Sequence, residues 1–542
     1  MTTESTCGAS FADALKDTLN DRKSVTENGA VGYASAGSEL LTMNFMLSSL
    51  RNKTEQEIAR RYAKVYFENP KLAVAFLFFA GDVRGGCGER RTFRTCFDWI
   101  VRDDPALAAR LAGLIPEYSR WDNLVRLVDS AISETVVRIV RKQLLADAAA
   151  LKCNGRVSLL AKWMPSERTS SKATRRLAKE WISRIGWSPR DYRKTISALR
   201  AKISVVETFM SSDRFSEIDY GAVPSRANLK YAKAFVRHDK ERREKYLEDL
   251  KKGKVKINAS EAVFPHEIVN RMRRNTNCSM CGWTWDSEYS VTDASVDATL
   301  ESMWKALPNK VGKDDGGTIC VVDSSASMDD LTGRDSKVTC WEVALSLGIY
   351  TSERLHGQFH DKFITFSSRP SFIDMANCKT LRQKIALAEA THIVENTDIE
   401  AVFNLILRTA VDHGMEQKDI PGTVLVLSDM EFDNATTYGY MFSPKREAKL
   451  KTLFETIADK YREAGYSMPR MVFWNICSRT GTVPVQTNEN GVALVSGFSP
   501  NIMDMVMSSE LDPYKALVKT ITSKRYEPVI KAFESGEDAD LG

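Results

Sequence analysis

Three short stretches carry oxygen-bearing side chains at spacings suited to gripping a hard cation. In VVDSSASMDD (321–330), Asp323, Ser325 and Ser327 alternate, and side chains two apart in a tight loop point the same way. Asp429 closes TVLVLSD (423–429), and Thr397 sits in VENTDIEAVFNLIL, where a loop opens a helix. Hydroxyls with carboxylates make an oxygen-only donor set of low charge. Such a set suits Mg²⁺, or another hard divalent cation that keeps some of its water. Asp-x-Ser-x-Ser alone is weak, because Asp and Ser also begin loops and cap helices. It gains weight from Thr397 and Asp429 following in order at matching places.

A second chemistry is cationic. The net charge of +5 is unevenly spread: residues 1–310 carry 52 Lys and Arg against 38 Asp and Glu, and residues 311–542 carry 24 against 33. Residues 151–260 alone hold 27 basic and 12 acidic side chains. In PSRANLKYAKAFVRHDK, Arg226, Lys230, Lys233, Arg237 and Lys240 recur at spacings of 4, 3, 4 and 3, which predicts one continuous stripe on a helix. Lys172, Arg175, Arg176 and Lys179 share a face in SSKATRRLAKEW, and Arg193, Lys194, Arg200 and Lys202 add to the segment. Lining a groove, such stripes would release counterions from phosphates and bind RNA in a salt-sensitive, sequence-tolerant way. The plainer readings are a solvated face, or pairing with the acidic C-terminal part of the same chain. Trp163, Trp181 and Trp187 could stack on bases, but their helical spacing fits a core better.

Catalytic signatures are missing. There is no Gly-x-Ser-x-Gly, phosphate loop, dinucleotide fingerprint or paired-His metal motif, and six histidines leave little general-base material. GDVRGGCGERR (81–91) lacks the Lys-Ser/Thr ending of a phosphate loop and follows a helix, so it reads as a helix–helix turn. FPHEIV has His266 and Glu267 but no His-Glu-x-x-His. The expectation is a protein that is not an enzyme. The ten cysteines are scattered, which suits reduced thiols; Cys278 and Cys281 are half of a zinc site with no second half, hence plain thiols. No apolar leader opens the chain, and LAVAFLFFAG is about half of the roughly 20 residues needed to span a bilayer. A soluble, cytoplasmic protein is expected (in the host cytoplasm if viral), without a membrane partner.

The elements that position these groups follow two rhythms. After a polar segment, 1–37, apolar residues recur every three or four positions through residues 38–310, with brief Gly, Asn or Pro breaks. Short amphipathic helices in succession predict an α-helical repeat domain, a HEAT-like solenoid of degenerate period. LPNKVGKDDGGT (307–318) marks a boundary, and 311–542 alternates β and α. TICVVD (318–323), KFITFS (362–367), TVLVLSD (423–429), RMVFWNI (470–476) and VALVSG (492–497) are continuous apolar strands. They predict a doubly wound, Rossmann-like α/β domain with a parallel sheet covered on both faces. Ligands of such sheets sit beyond the carboxyl ends of the strands, where Asp323 and Asp429 fall.

The set Asp-x-Ser-x-Ser, Thr-Asp before a helix and strand-terminal Ser-Asp resembles the metal-ion-dependent adhesion site (MIDAS) of von Willebrand factor A domains. That resemblance implies Ser325, Ser327 and Thr397 touching the metal, with Asp323 and Asp429 acting mostly through bound waters. One position would stay free for a partner's carboxylate. Ala326 departs from the family's usual Gly, and a small residue still fits.

TENGAVGYASAGSELLTMNF, GDVRGGCGERRTF, RWDNL, LLAKWMPSERTSSKATRRLAKEW, IDYGAVPSRANLKYAKAFVRHD, KINASEAVFPHEIV, SDMEFD and FWNI together resemble domain-of-unknown-function 2828. This is an uncharacterised family of paired domains from viruses and plants, and the likeness runs over roughly 25–510. Its layout is similar to the Ro (TROVE) RNA-binding proteins, a ring of helical repeats followed by a von Willebrand A domain. The implied function is a non-catalytic, ribonucleoprotein-forming protein that binds single-stranded or misfolded RNA, with a Mg²⁺-dependent ligand-docking domain. The alternative is an assembly scaffold whose metal site grips an acidic residue of a protein partner. An unrecognised nuclease stands a distant third.

Overall fold

The computed structural model describes residues 23–26, 31–33, 35–203, 206–258, 263–274, 291–311, 317–333, 336–366, 370–390, 398–432, 453–480, 483, 492–506 and 512–535. Thr397, Cys278 and Cys281 lie outside them. The chain divides into two compact units, residues 1–53 with 309–520, and residues 54–308 with 521–542. The first holds the strands β1 (Lys23–Val25), β2 (Val31–Tyr33), β3 (Thr318–Asp323), β4 (Lys362–Phe366), β5 (Ser371–Asp374), β6 (Thr423–Ser428), β7 (Arg470–Asn475) and β8 (Val492–Ser496).

β1 and β2 pair antiparallel, and the other six form one sheet in the order β5-β4-β3-β6-β7-β8. All its pairings are parallel except that of β5, at one edge. Every residue of β3 is buried, as are the last five of β6 and β7, which requires cover on both faces. The helix Cys340–Ser352 supplies part of that cover and is itself buried at every position. Its Gly348 permits the close approach, since a Cβ there would stand 2.6 Å from Val322 Cγ2 on β3.

The second unit is helical. Glu55–Glu68, Pro70–Gly81 and Arg90–Asp103 pack on one another; Ser133–Lys152 receives Lys172–Ile185 and Pro189–Lys202. Val291–Lys305 receives Ser225–His238, Lys240–Lys251 and Pro265–Arg274. Local chemistry sets the ends. Thr54 and Glu57 form a capping box, Asn69 and Ser171 cap by side chain, and Gly186 closes its helix at φ 69°. Among the described residues no helix is long and apolar enough to cross a membrane.

The units differ from the expected division into 1–37, 38–310 and 311–542 at both ends of the chain. Residues 38–53 were expected to start the helical domain, yet helix Glu39–Phe45 packs against β8. Ser48 Oγ donates to the Asn475 carbonyl (3.0 Å), and Asn475 Nδ2 donates to the Phe45 carbonyl (2.7 Å). Residues 521–542 join the helical unit instead. Glu527–Glu534 packs on Pro70–Gly81, and Arg525 Nη2 donates to Asp82 Oδ1 at 2.8 Å. Tyr526 donates its hydroxyl to the other oxygen of this fully buried carboxylate (3.1 Å). Helical periodicity announces an apolar face but not which core receives it, hence the difference.

Candidate functional site

In the sheet β5-β4-β3-β6-β7-β8 the chain turns outward in opposite directions from β3 and β6, so the crevice beyond their carboxyl ends is the switch point. Asp323 is the last residue of β3, and Asp429 follows the last residue of β6. The Asp323 carboxylate is fully buried: Oδ1 accepts the Ser325 backbone N–H (2.9 Å) and Oδ2 accepts the Ser428 hydroxyl (2.5 Å). Ser325 and Ser327 bring their hydroxyls to 3.1 Å from each other. The Ser327 hydroxyl also lies near enough to Asp429 to favour its charged form. Four of the five sequence-predicted oxygen ligands therefore converge on one rim.

Burial and the neighbouring Asp323 carboxylate push the Asp429 carboxyl up to about 7, against the pull of Arg479, the Ser327 hydroxyl and the Glu431 backbone N–H. Two buried acids this close call for positive charge. Arg479 supplies some, with Nη2 3.5 Å from Asp429 Oδ2 and Nη1 paired with Asp330. Two carboxylates and two hydroxyls also form a donor set fit for a hard divalent ion. No cluster of three or more His, Cys, Asp and Glu side chains fit to hold a metal occurs among the described residues.

Sequence reasoning missed the groups that hold the rim in place. Fully buried Glu431 takes the backbone N–H of Arg479 (2.7 Å) and Thr480 (2.9 Å) and the Ser478 hydroxyl (3.1 Å) on Oε1. It thereby fixes the segment that presents Arg479. Between them Met430 adopts φ 66°, a left-handed conformation disfavoured for a side chain with Cβ, and turns the chain sharply after Asp429. The acid-rich SDMEFD was visible, but no pattern tied Arg479 to it.

The basic side chains are placed as follows. On Ser225–His238, Arg226, Lys230, Lys233 and Arg237 are exposed on one face, opposite the buried Asn228, Ala232, Phe235 and Val236. Lys240 does not continue that row: Asp239, at φ −147°, ends the helix, and Lys240 opens the next. Arg226 pairs with Glu267 (3.2 Å), and Lys230 stands 4.8 Å over the Tyr231 ring. Lys172, Arg175, Arg176 and Lys179 are exposed on Lys172–Ile185, with Arg175 donating to the Thr169 and Ser170 carbonyls. Arg193 pairs with Glu167 (2.5 Å), and Lys194 is exposed. Arg200 binds the Ala161 and Met164 carbonyls and is structural. Trp181 is fully buried and donates to the Val125 carbonyl, a core role.

The same unit holds an arginine cluster that sequence spacing did not expose. Arg90, Arg94 and Arg120 converge on the single carboxylate of Asp122, while Arg126 pairs with Asp98. Burial, then Arg90, lowers Arg94 to about 10 against the opposing pull of Asp122. Arg120 lies 5.2 Å from the Trp163 ring and is lowered by burial, with Arg90 and Arg226 adding to the shift. The cluster thus adjoins the Arg226 end of the exposed row. Its members come from GERRTFR and RWDNL, stretches about 30 residues apart that only the fold joins.

Residues 187–316 match the family described as Domain of unknown function (DUF2828), and residues 317–532 match Domain of unknown function (DUF7788). The single family expected over 25–510 is thus matched over 187–316 alone, and the residues of the sheet from 317 match a second. The uncharacterized protein L728 of Acanthamoeba polyphaga mimivirus is 26% identical over 560 aligned positions, covering 96% of this chain and 90% of the relative. The crystal structure of the Deinococcus radiodurans RO (RSR) protein aligns over 86% of this chain and 98% of its own, at 13% identity and a TM-score of 0.43.

Proposed function

We propose that this chain is a non-catalytic, Ro-like RNA-binding protein. Its helical unit acts as a HEAT-like repeat array that takes single-stranded or misfolded RNA. The observation that carries this reading is the exposed row Arg226, Lys230, Lys233 and Arg237, adjoining an arginine cluster in which three guanidiniums share one carboxylate. Surplus positive charge held on rigid helices suits a phosphate backbone and reads no sequence. Filter binding of a single-stranded oligonucleotide across salt tests it. With about four phosphates contacted, affinity should fall roughly 50-fold between 50 and 200 mM salt. No binding at low salt removes the reading.

The α/β unit is proposed as a von Willebrand A-like docking domain with an adhesion-type site. Asp323, Ser325, Ser327 and Asp429 would hold Mg²⁺, together with Thr397. A bound divalent ion supplies a Lewis-acidic position for one oxygen of an acidic ligand. The chain's own residues orient the hydroxyls, balance the paired acids and exclude water beneath them. The second reading is an assembly scaffold, favoured by the convergence of four oxygen groups on one rim. It predicts that the docked ligand is a partner's Asp or Glu. A cytoplasmic site of action accords with reduced thiols.

A further inference from the structure

Beside Asp429, a cavity of about 180 Å³ is lined by Asn52, Asp330, Leu331, Cys340, Cys477 and Arg479 as well as Asp429 itself. The two cysteines, 137 positions apart in the chain, meet there. Cys340 opens the helix Cys340–Ser352, and Cys477 lies just past the end of β7. Both are free thiols, and both line this one cavity. Asn52 Nδ2 donates to Cys477 Sγ at 3.3 Å, and the Thr332 carbonyl lies 3.9 Å from the same sulfur.

The surroundings make the two sulfurs unequal. The neighbouring Cys477 thiol, with burial behind it, raises Cys340 well above an ordinary thiol. The neighbouring Cys340 thiol lowers Cys477 against the opposing push of burial, and Arg51 and Arg479 lower it further against Asp429. The Asn52 amide donating to Cys477 Sγ and Arg479 in the same cavity wall favour negative charge on Cys477, as suits the attacking member of a thiol pair that closes on oxidation.

We propose that Cys340 and Cys477 form an oxidation site for small hydroperoxides, closing into a disulfide at the wall of the cavity beside Asp429. The Cys477 thiolate attacks a peroxide oxygen. The O–O bond breaks, a sulfenic acid forms on Cys477, and hydroxide leaves. Cys340 then attacks the Cys477 sulfur, its proton leaves with the displaced hydroxyl as water, and the S–S bond forms. Both sulfurs are oxidised by one peroxide, which is reduced to water. The bond would tie the start of a helix anchored on Asp330, whose carbonyl accepts the Cys340 N–H (2.9 Å), to the segment bearing Arg479. The site needs no metal and stands apart from the docking reading.

The test uses the reduced full-length chain with a few equivalents of hydrogen peroxide, run with EDTA and again with Mg²⁺. Remaining thiols are then blocked with N-ethylmaleimide under denaturing conditions, and the non-reduced digest is read by mass spectrometry. The expected result is a linked peptide pair containing Cys340 and Cys477 in more than half of the chains, reversed by dithiothreitol. In Cys340→Ser, the linked pair should vanish and dimedone should label Cys477. Recovery of both residues as maleimide adducts while other cysteines oxidise would overturn the proposal, as would either residue linking elsewhere. A linked pair formed without any Mg²⁺-induced thermal shift would sink the metal reading and leave this one standing.

Discussion

The rim of the sheet and the basic faces of the helical unit are built on opposite plans. At the rim, Asp323 and Asp429 are buried, each oxygen is directed by a named donor, and the charge is unbalanced within a small volume. On Ser225–His238 and Lys172–Ile185 the charges are exposed and spaced by the helix repeat. A buried set works by geometry, so one missing atom undoes it. An exposed row works by summation, so each member contributes a part and salt erodes the whole.

That contrast can be broken or sharpened by experiment. The largest effect is expected from Asp323→Ala: Mg²⁺ should no longer raise the melting temperature at all, while RNA affinity stays unchanged. A persisting shift would place the metal elsewhere. Reversing charge at Arg226, Lys230, Lys233 and Arg237 together should weaken RNA binding by about 100-fold or more with the Mg²⁺ shift intact. Unchanged affinity in filter binding would count against this face. A smaller effect is expected from Glu431→Gln, which leaves the segment 478–480 less firmly held. The Mg²⁺ midpoint by thermal titration should rise about tenfold, with stability lowered by about 1–3 kcal/mol. An unaltered midpoint would mean that Arg479 is positioned without Glu431.

The strands of the sheet were legible nearly to the residue. TICVVD is β3, and the other four apolar runs overshoot their strands by a single position each. Fully buried parallel strands announce themselves as unbroken apolar runs. β5 escaped because an edge strand buried only at Ile373 has no such run. Ser325 and Ser327 could be read because their spacing from Asp323 is local to one loop, and Asp429 because it closes an apolar run. Arg479, Glu431, the Cys340–Cys477 pair and the convergence on Asp122 could not. Each depends on segments brought together by the sheet order or by helix packing, and nothing local signals that meeting. The stripe ending at Lys240 failed for a local reason, since periodicity ran through Asp239 while the backbone did not.

Each unit borrows a segment from a remote part of the chain, and this bears on synthesis. As the polypeptide leaves the ribosome, Glu39–Phe45 emerges more than 400 residues before β8, against which it packs. Its six buried side chains must therefore wait, exposed or guarded by a chaperone, until that strand has been made. The buried carboxylate of Asp82 waits longer still, for Arg525 and Tyr526. Neither unit can be cut out as one contiguous fragment, and each is completed only after a long intervening stretch of the other has been made.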